Sequence, residues 1–326
     1  MVPGIRLSSA VCVFALSCFA QGFQIGGPIT GLVFDAPSHS IRQVIGMPGA
    51  AHMSSALLSG VDWASVSPNA LTAIAIRQGE ARLISAADMG QEPAGILIDG
   101  FLDAPQWSCW ARDSSSVVLY SAVTRAVQWV RFSAQAPVAD APIALTGVDG
   151  DVTALAADAT ARVAVVAIAG SGIYRVTSQG TAQVLPVTDA SAIAMSSGGE
   201  TLWVADRSNA QVLEVANPSS NPESRVLLVD AEKFADLSAL ALSSDSQRLY
   251  LASRSTQLLY WLDRSTSLLS EGITLDAPAT LFSPLGRTSL LLLGTREKLG
   301  DPLYLLDEQS GPGVFFVPAG EGDPLQ

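Results

Sequence analysis

The chain has 326 residues, of which 48% are hydrophobic and 15% charged, and its 30 acidic and 18 basic residues give a formal net charge of −12. An acidic surface repels phosphate backbones and anionic lipid headgroups, so this composition argues against nucleic-acid binding. Only three cysteines occur, which also excludes a disulfide-rich scaffold.

The N-terminal stretch has the organisation of a secretory signal peptide. Arg6 precedes an apolar stretch at residues 7–16, and Cys18 and Ala20 place small residues before a cleavage site. We therefore expect residues 1–20 to be a signal peptide and the protein to be secreted or periplasmic.

The remaining residues, 21–326, are expected to form one domain, because no linker long enough to separate two domains is present. Removal of Arg6 with the leader leaves 17 basic against 30 acidic residues, a net charge of about −13. No later segment is long and apolar enough to span a bilayer. The alternative to secretion is a lipoprotein attached at Cys18, because residues 15–18 partly resemble a lipobox.

Short strands and turns then recur every 40 to 47 residues. Each unit has an alternating apolar strand, a turn and a nearly continuous apolar strand. A second strand covered on both faces by neighbouring units loses the apolar and polar alternation of a half-exposed strand. A repeat of this length built from short strands predicts a β-propeller. The turns centre on Asn69, Asp113, Asp158, Gly198, Asp245 and Leu285.

Six units are complete in this pattern, and an abbreviated unit precedes them. The fold class is therefore all-β, a single β-propeller with seven four-stranded blades of which the first is abbreviated; six blades with an N-terminal arm are the alternative. First strands are predicted at residues 62–67, 106–111, 152–157, 191–196, 237–242 and 280–283. In the abbreviated unit, the second to fourth strands are predicted at residues 30–34, 40–45 and 52–58, and residues 21–25 are the candidate innermost strand.

Two of the units carry a recognisable repeat. Ser243-Ser244-Asp245 followed by residues 248–252, and residues 202–206 followed by Asn209, resemble the repeat of YVTN- and NHL-type bacterial propellers. In that repeat a strand and a Ser-Pro-Asp-Gly-like turn lead into Leu-Tyr-Val-Ala-Asn/Asp. The resemblance implies the architecture and leaves the activity open, since these motifs specify turns and packing.

The chain offers few groups for hydrolytic catalysis. His39 and His52 are its only histidines, and neither a Gly-x-Ser-x-Gly elbow nor a zinc-binding motif occurs. Cys109, between Trp107 and Trp110, is interpreted as a structural cysteine. These absences favour a binding module over an enzyme.

An aspartate stands at or just before the first strand of every complete unit. In a propeller, the loops that lead into these strands surround one mouth of the central channel. Six carboxylates there are candidates for binding a cationic ligand or a hard cation such as Ca²⁺, with Asp151 and Asp189 as the metal ligands. The alternative is that each aspartate caps its own turn. The six are Asp62, Asp103, Asp151, Asp189, Asp236 and Asp276.

Two tryptophans form a second candidate feature. Trp63 and Trp107 each lie six residues before the turn residue of their unit, so we expect them at equivalent positions in successive blades. Together they are candidates for one aromatic wall of an off-centre pocket, and packing between blades is the alternative. The matching positions are predicted to be Val152, Ala192, Ala239 and Ala279.

Two functional hypotheses follow. The first is a monomeric binding or interaction module for an unidentified protein or small molecule, because propellers present variable loops at both faces. The second is a calcium-dependent hydrolase or lactonase, in which the cation polarises a carbonyl and an aspartate acts as base. A purely structural role stays open. Besides the aspartate ring and the tryptophans, the candidate ligand contacts are the turn residues Asp35, Arg125, Asp206, Arg254 and Arg296.

Overall fold

The computed structural model describes residues 27–89, 95–133, 136–286, 290–309 and 311–319. The predicted signal peptide, residues 1–20, and the candidate innermost strand at residues 21–25 lie outside them. The described residues form seven antiparallel sheets, the blades of a β-propeller, which confirms the all-β prediction and the count of seven. Within these ranges, no helix is long and apolar enough to cross a membrane.

Each blade is numbered in chain order, and its strand positions are called a to d from the channel outwards. Blade 1 contains β1 (Ile29–Asp35), β2 (Ser40–Ile45), β3 (His52–Met53) and β4 (Leu58–Ser59). Blade 2 contains β5 (Trp63–Val66), β6 (Thr72–Arg77), β7 (Glu80–Ser85) and β8 (Ile96–Leu97). Blade 3 contains β9 (Trp107–Trp110), β10 (Ser116–Ser121), β11 (Ala126–Phe132), β12 (Pro137–Ala139) and β13 (Ile143–Ala144).

The remaining four blades follow the same order. Blade 4 contains β14 (Val152–Ala157), β15 (Ala164–Ile168), β16 (Gly172–Thr177) and β17 (Gly180–Leu185). Blade 5 contains β18 (Ala190–Met195), β19 (Thr201–Asp206), β20 (Gln211–Ala216) and β21 (Glu223–Val229). Blade 6 contains β22 (Leu237–Leu242), β23 (Arg248–Ser253), β24 (Leu258–Asp263), β25 (Leu268–Leu269) and β26 (Ile273–Thr274). Blade 7 contains β27 (Ser283–Pro284), β28 (Leu290–Leu292), β29 (Leu303–Asp307) and β30 (Gly313–Val317).

Within the described residues, the first blade begins at position b, and its candidate a strand, residues 21–25, lies outside them. β1 ends at Asp35, and a short 3-10 helix with a left-handed residue, His39, connects it to β2. β19, the b strand of blade 5, ends at Asp206 and continues in the same way to Ala210. Residues 30–34 and 40–45 are therefore confirmed as second and third strands. Within the described residues, position d of this blade consists of the two short strands β3 and β4, both paired with β2.

The outer strand of blade 6 is also split, whereas the sequence predicts one strand over residues 268–275. β25 and β26 both pair with β24, and Gly272 lies between them with φ of 96°. A Cβ atom at this glycine would lie 3.0 Å from the ring of Tyr260. The chain thus bends inward over the tyrosine at this point, and the strand is interrupted.

Seven apolar clusters hold the ring together, one between each pair of neighbouring blades. The b strands contribute to two clusters each, because their alternate side chains point to opposite faces. In β1, for example, Leu32 packs toward blade 2 and Val33 toward blade 7. This explains why the b strands are continuously apolar. It also shows that blade 1 packs directly against blade 7 and closes the ring.

Candidate functional site

Antiparallel order fixes which loops share a mouth of the channel. The a strands begin, the b strands end and the c strands begin at one face, here called the b–c mouth. The a–b turns lie at the opposite face, the a–b mouth. Side chains from the loops that lead into the a strands can therefore meet only those of the b–c turns.

The a strands of blades 4 to 6 share an irregularity at the b–c mouth. β14, β18 and β22 lie side by side around the channel, and the register of each shifts at one residue. These residues are Thr153, Ser191 and Ser238, and each is followed by an alanine. The recurrence of a hydroxyl residue before alanine is visible in the sequence, although none of the three residues is among the predicted site residues.

Two of these hydroxyl groups connect one blade to the next. Thr153 Oγ1 donates to the carbonyl of Ala190 at 2.5 Å, and Ser238 Oγ donates to that of Ala279 at 2.6 Å. The hydroxyl oxygen of Ser191 is buried and has no hydrogen-bond partner. The middle hydroxyl of the three is therefore the one whose donor capacity is unused.

Three of the six predicted aspartates occupy one equivalent position. The backbone carbonyls of Asp151, Asp189 and Asp236 each accept a hydrogen bond of 2.9 Å from the first residue after the b strand. Asp62 differs, because its own N–H donates to Ile76 at 2.8 Å. Asp103 is exposed in the loop between blades 2 and 3, and so is Asp276 in the loop between blades 6 and 7. A ring of six equivalent carboxylates is not formed.

An arginine lies between two of the aspartates. Arg207 binds the carboxylate of Asp189 with hydrogen bonds of 2.8 and 3.0 Å and approaches that of Asp236 at 3.5 Å. The hydrogen bonds to Asp189 raise the pKa of Arg207 and keep it charged. Among the described residues, no three His, Cys, Asp or Glu side chains come together as a metal site. The ion pair between Arg207 and Asp189 could not be found by aligning the aspartates alone, because Arg207 comes from a b–c turn 18 residues after Asp189.

A cavity of about 180 Å³ opens among these groups at the b–c mouth. We call it the Arg254 cavity, because the guanidinium of Arg254 makes no hydrogen bond or ion pair with the described part of the chain. Polar side chains from three consecutive blades thus converge on one small space. Its lining residues are Thr153, Ser191, Arg207, Asp236, Leu237, Ser238 and Arg254.

The two candidate tryptophans lie on blades 2 and 3, outside the three blades that line the cavity. Trp63 pairs with Ile76 and Trp107 with Tyr120, so the two occupy equivalent positions, as predicted. Trp63 packs into the cluster between blades 2 and 3, and Trp107 is 37% exposed. Neither lines the Arg254 cavity. In blade 4 the equivalent residue is Ala154 and not Val152, because the bulge at Thr153 adds one residue to the strand.

The other predicted turn residues divide into structural and accessible groups. Asp35 and Arg296 are buried and form an ion pair of 3.1 Å between blades 1 and 7, so the expectation that they contact a ligand is wrong. Arg125 donates to the carbonyls of Val148 and Gly150. Asp206 is 3% exposed and accepts hydrogen bonds within its own turn. Of the five, Arg254 lines the cavity.

The groups with nucleophilic or basic chemistry lie elsewhere. Burial raises the pKa of the Cys109 thiol to about 11, which keeps it protonated near neutral pH. His39 occupies a left-handed turn position, and its Nδ1 lies 3.2 Å from the carbonyl oxygen of Val61. His52 is exposed on the short outer strand β3. None of the three lines the Arg254 cavity.

An arginine spans the a–b mouth. Arg112, in the a–b turn of blade 3, donates from its guanidinium to the carbonyl of Ser244 at 3.0 Å. Ser244 belongs to the a–b turn of blade 6, so this contact joins blades on opposite sides of the ring. The N–H of Ser244 also donates to Glu308 at 3.0 Å. The two mouths of the channel therefore differ in chemistry.

Comparison with known proteins supports the fold. No protein-family model and no curated protein matches this sequence. A Bacteroides uniformis structure provisionally assigned as a 6-phosphogluconolactonase is similar, with a TM-score of 0.62, 12% identity, and coverage of 89% of this chain and 96% of that one. The periplasmic gluconolactonase of Pseudomonas aeruginosa is 16% identical with a TM-score of 0.58, over 89% of this chain and 96% of that one.

A third propeller structure, which is not described as a lactonase, is also similar to this chain. The β-propeller domain of Cps50 (Swd1) from Myceliophteria thermophila has a TM-score of 0.55 and 11% identity, with 83% of this chain and 94% of that one covered. At these identities the likeness shows the fold alone. The chain is a seven-bladed propeller, and its resemblance to YVTN and NHL repeats stays a prediction at the level of repeat type.

Proposed function

We propose that this propeller is a binding module whose ligand site is the Arg254 cavity at the b–c mouth. The observation that supports the proposal is the convergence of polar side chains from three consecutive blades on one space. The lining groups lie on a strands, directly before one, or directly after b strands, so the β-sheets hold them in place. A rigid scaffold with convergent polar groups is typical of small-molecule sites.

The size of the cavity favours a small molecule over a protein partner. Its volume of about 180 Å³ lies below the range of roughly 300–1,000 Å³ found for drug-sized ligands. A protein interface, in contrast, typically buries about 800 Å² of each partner. We therefore propose a metabolite-sized ligand, bound by a monomeric propeller.

We also propose that the protein acts outside the cytoplasm, after removal of residues 1–20 as a signal peptide. The support is the arrangement of Arg6, the apolar stretch 7–16 and the small residues at 18 and 20. One of the similar structures is described as periplasmic. Mass spectrometry of the purified protein tests this, because cleavage after Ala20 leaves Gln21 as the first residue. Lipid attached to Cys18 would support the lipoprotein alternative.

Lactone hydrolysis is the second candidate function. Both bacterial structures described above are named as lactonases, one of them provisionally, and this favours the chemistry as an alternative. The calcium-dependent form needs carboxylates such as Asp151 and Asp189 to share an ion, whereas Asp189 is bound to Arg207. Hydrolysis of glucono-lactone, followed by acid release with Ca²⁺ and then with EDTA, tests it against the spontaneous rate. A rate equal to the spontaneous one in both conditions would rule out this substrate.

The binding proposal is tested by thermal unfolding of the chain from Gln21 onward against a panel of small metabolites. A ligand present at 100 times its dissociation constant stabilises the folded state by about 2.7 kcal/mol. Each compound that raises the midpoint is then measured against Arg254→Ala and against Arg162→Ala. Arg162 is an exposed arginine in the a–b turn of blade 4, so its replacement changes the charge equally at the opposite mouth.

We expect Arg254→Ala to abolish the stabilisation and Arg162→Ala to preserve it. A ligand whose effect is the same in both variants binds elsewhere, and that outcome would reject the Arg254 cavity as its site.

A further inference from the structure

We infer that the ligand of the Arg254 cavity is a small hydroxy acid, and that Arg254 and Ser191 bind its carboxylate. This inference rests on the proposed function and names the chemical class of the ligand. Three features of the cavity support it: its charges, its unused hydrogen-bond donors and its unused acceptors.

One cation of the cavity lacks a carboxylate partner. Arg207 lies between Asp189 at 2.8 Å and Asp236 at 3.5 Å, and these three side chains form an ionic group with one excess negative charge. Arg254 is the remaining charged residue of the lining, and it has no partner within the described chain. A guanidinium presents its N–H groups in a planar fork that matches the two oxygens of a carboxylate.

The unused hydrogen-bond donors of the cavity also favour a carboxylate on the ligand. The hydroxyl hydrogens of Thr153 and Ser238 are used on the carbonyls of Ala190 and Ala279. The hydroxyl of Ser191 lies between them in the ring of a strands and has no acceptor. Ser191 and Arg254 are thus the side chains of the lining whose donors are left for a ligand, and donors that line one cavity favour a ligand with acceptor oxygens.

The hydrogen-bond acceptors in the cavity are the reason for proposing a ligand with hydroxyl groups. A serine or threonine oxygen that donates its hydrogen still has lone pairs with which to accept. Thr153 and Ser238 therefore offer acceptors along the same wall of the cavity that offers the donor of Ser191. A ligand with a carboxylate at one end and hydroxyl groups along its chain satisfies both.

A single negative charge fits better than two. Arg254 can pair with one carboxylate, and each further negative charge on a ligand adds repulsion from Asp236 and Asp189 in a chain of net charge −12, so a phosphate monoester is disfavoured. We therefore assign a carboxylic acid and not a phosphate.

The test compares each acid with the polyol that differs from it only at C1. Glycerate and glycerol, threonate and threitol, and gluconate and glucitol form three pairs of increasing length, and inorganic phosphate is added as a separate probe. Calorimetric titrations use the chain from Gln21 onward, with Arg254→Gln, Arg254→Lys and Ser191→Ala as variants. Arg162→Gln is the control for the loss of one positive charge.

We expect at least one acid to bind ten times or more tightly than its polyol. Arg254→Gln should weaken that acid at least tenfold and leave the polyol unchanged, whereas Arg254→Lys should retain part of the difference because it keeps the charge but not the fork. Ser191→Ala should weaken the acid by a smaller factor, and Arg162→Gln should have no effect.

Other outcomes overturn the inference. Equal binding of every acid and its polyol, or tighter binding of inorganic phosphate, would show that the class is wrong while a cavity-dependent ligand still supports the proposed function. An acid that binds equally to wild type and to Arg254→Gln would place the carboxylate elsewhere. If none of the metabolites or probes responds to any cavity variant, the proposed function fails together with the inference.

Discussion

At the scale of single residues, two equivalent aspartates have different partners. Asp35 and Asp206 each end a b strand and precede a 3-10 helix. The carboxylate of Asp35 lies 3.1 Å from both Arg42 and Arg296, and its side chain is 0% exposed. The carboxylate of Asp206 accepts hydrogen bonds from the neutral side chains of its own turn. Replacing each carboxylate by an amide should therefore have different consequences.

We predict that Asp35→Asn lowers the free energy of unfolding by about 3–5 kcal/mol, because two buried guanidinium groups lose their counter-charge. Asp206→Asn, the matched control, should cost about 1–2 kcal/mol, because it weakens hydrogen bonds from neutral donors and leaves no buried charge without a partner. Urea unfolding of both variants measures the difference. Equal losses would show that the contact between blades 1 and 7 contributes nothing specific to closing the ring.

Turn carboxylates also set the response of the protein to acid. Hydrogen bonds from Ser265 and Thr266 lower the pKa of Asp263 to about 2. Burial acts to raise the pKa of Asp206, but hydrogen bonds from Asn209, Ser208 and Gln211 outweigh it and the net shift is downward. Between these depressed pKa values and the ordinary aspartate pKa of 3.8, the unfolded chain binds more protons than the folded one.

We predict that the free energy of unfolding falls as the pH is lowered from about 4 to about 2, since the stabilisation from a depressed pKa is lost as the pH falls through it. The double variant Asp206→Asn, Asp263→Asn should show a smaller slope over this interval and an unchanged slope above pH 5. Urea titrations at half-unit steps test this. An unchanged slope below pH 4 would assign the acid sensitivity to other carboxylates.

At the scale of elements, the c strand of blade 3 shows how loops are fixed between blades. Gln128 lies on β11 and is 0% exposed. Its Oε1 accepts from the N–H of Leu102 at 2.7 Å, and its Nε2 donates to the carbonyls of Gly100 and Asp140 at 2.7 and 2.8 Å. One side chain therefore holds both the loop that leads from blade 2 and the loop within the outer strand.

We predict that Gln128→Leu destabilises the protein by roughly 2–5 kcal/mol, because three backbone groups lose a partner and the amide of Leu102 is buried. The control is Gln183→Leu on β17, where an exposed side chain donates to Ser171 at 3.0 Å, and its cost should stay within about 0.5 kcal/mol. Chemical unfolding distinguishes the two. A loss as small as that of the control would show that water replaces the amide.

The elements could be predicted from the sequence where local chemistry determines them. Turns such as Ser243 to Asp245, and the switch from alternating to continuous apolar strands, are consequences of covering each blade on both faces. The cavity was harder to predict, since it depends on side chains that reach between elements. Arg207 extends to Asp189, 18 residues earlier, and the bulge at Thr153 moves the equivalent position to Ala154. Neither the ion pair nor the bulge can be deduced from the spacing of residues in the aligned repeats.

At the scale of the whole molecule, the acidic charge opposes the packing that closes the ring. Seven apolar clusters stabilise the fold, while a net charge of −12 produces self-repulsion over the surface. The exposed ion pairs, such as Arg225 with Glu214 at 2.8 Å, are each worth about 0–1 kcal/mol. Repulsion among the excess acidic residues is therefore expected to outweigh the attraction between these pairs.

We predict that raising NaCl from 0.02 to 0.5 M increases the unfolding midpoint of the chain from Gln21 onward. The Debye length falls from roughly 20 Å to about 4 Å over this range, so repulsion between distant carboxylates is screened, whereas the buried contact of Asp35 with Arg296 is screened much less. Asp35→Asn should accordingly show the same salt-dependent increase from a lower starting midpoint. A midpoint that falls with salt would mean that surface ion pairs, and not net repulsion, dominate the electrostatics of this propeller.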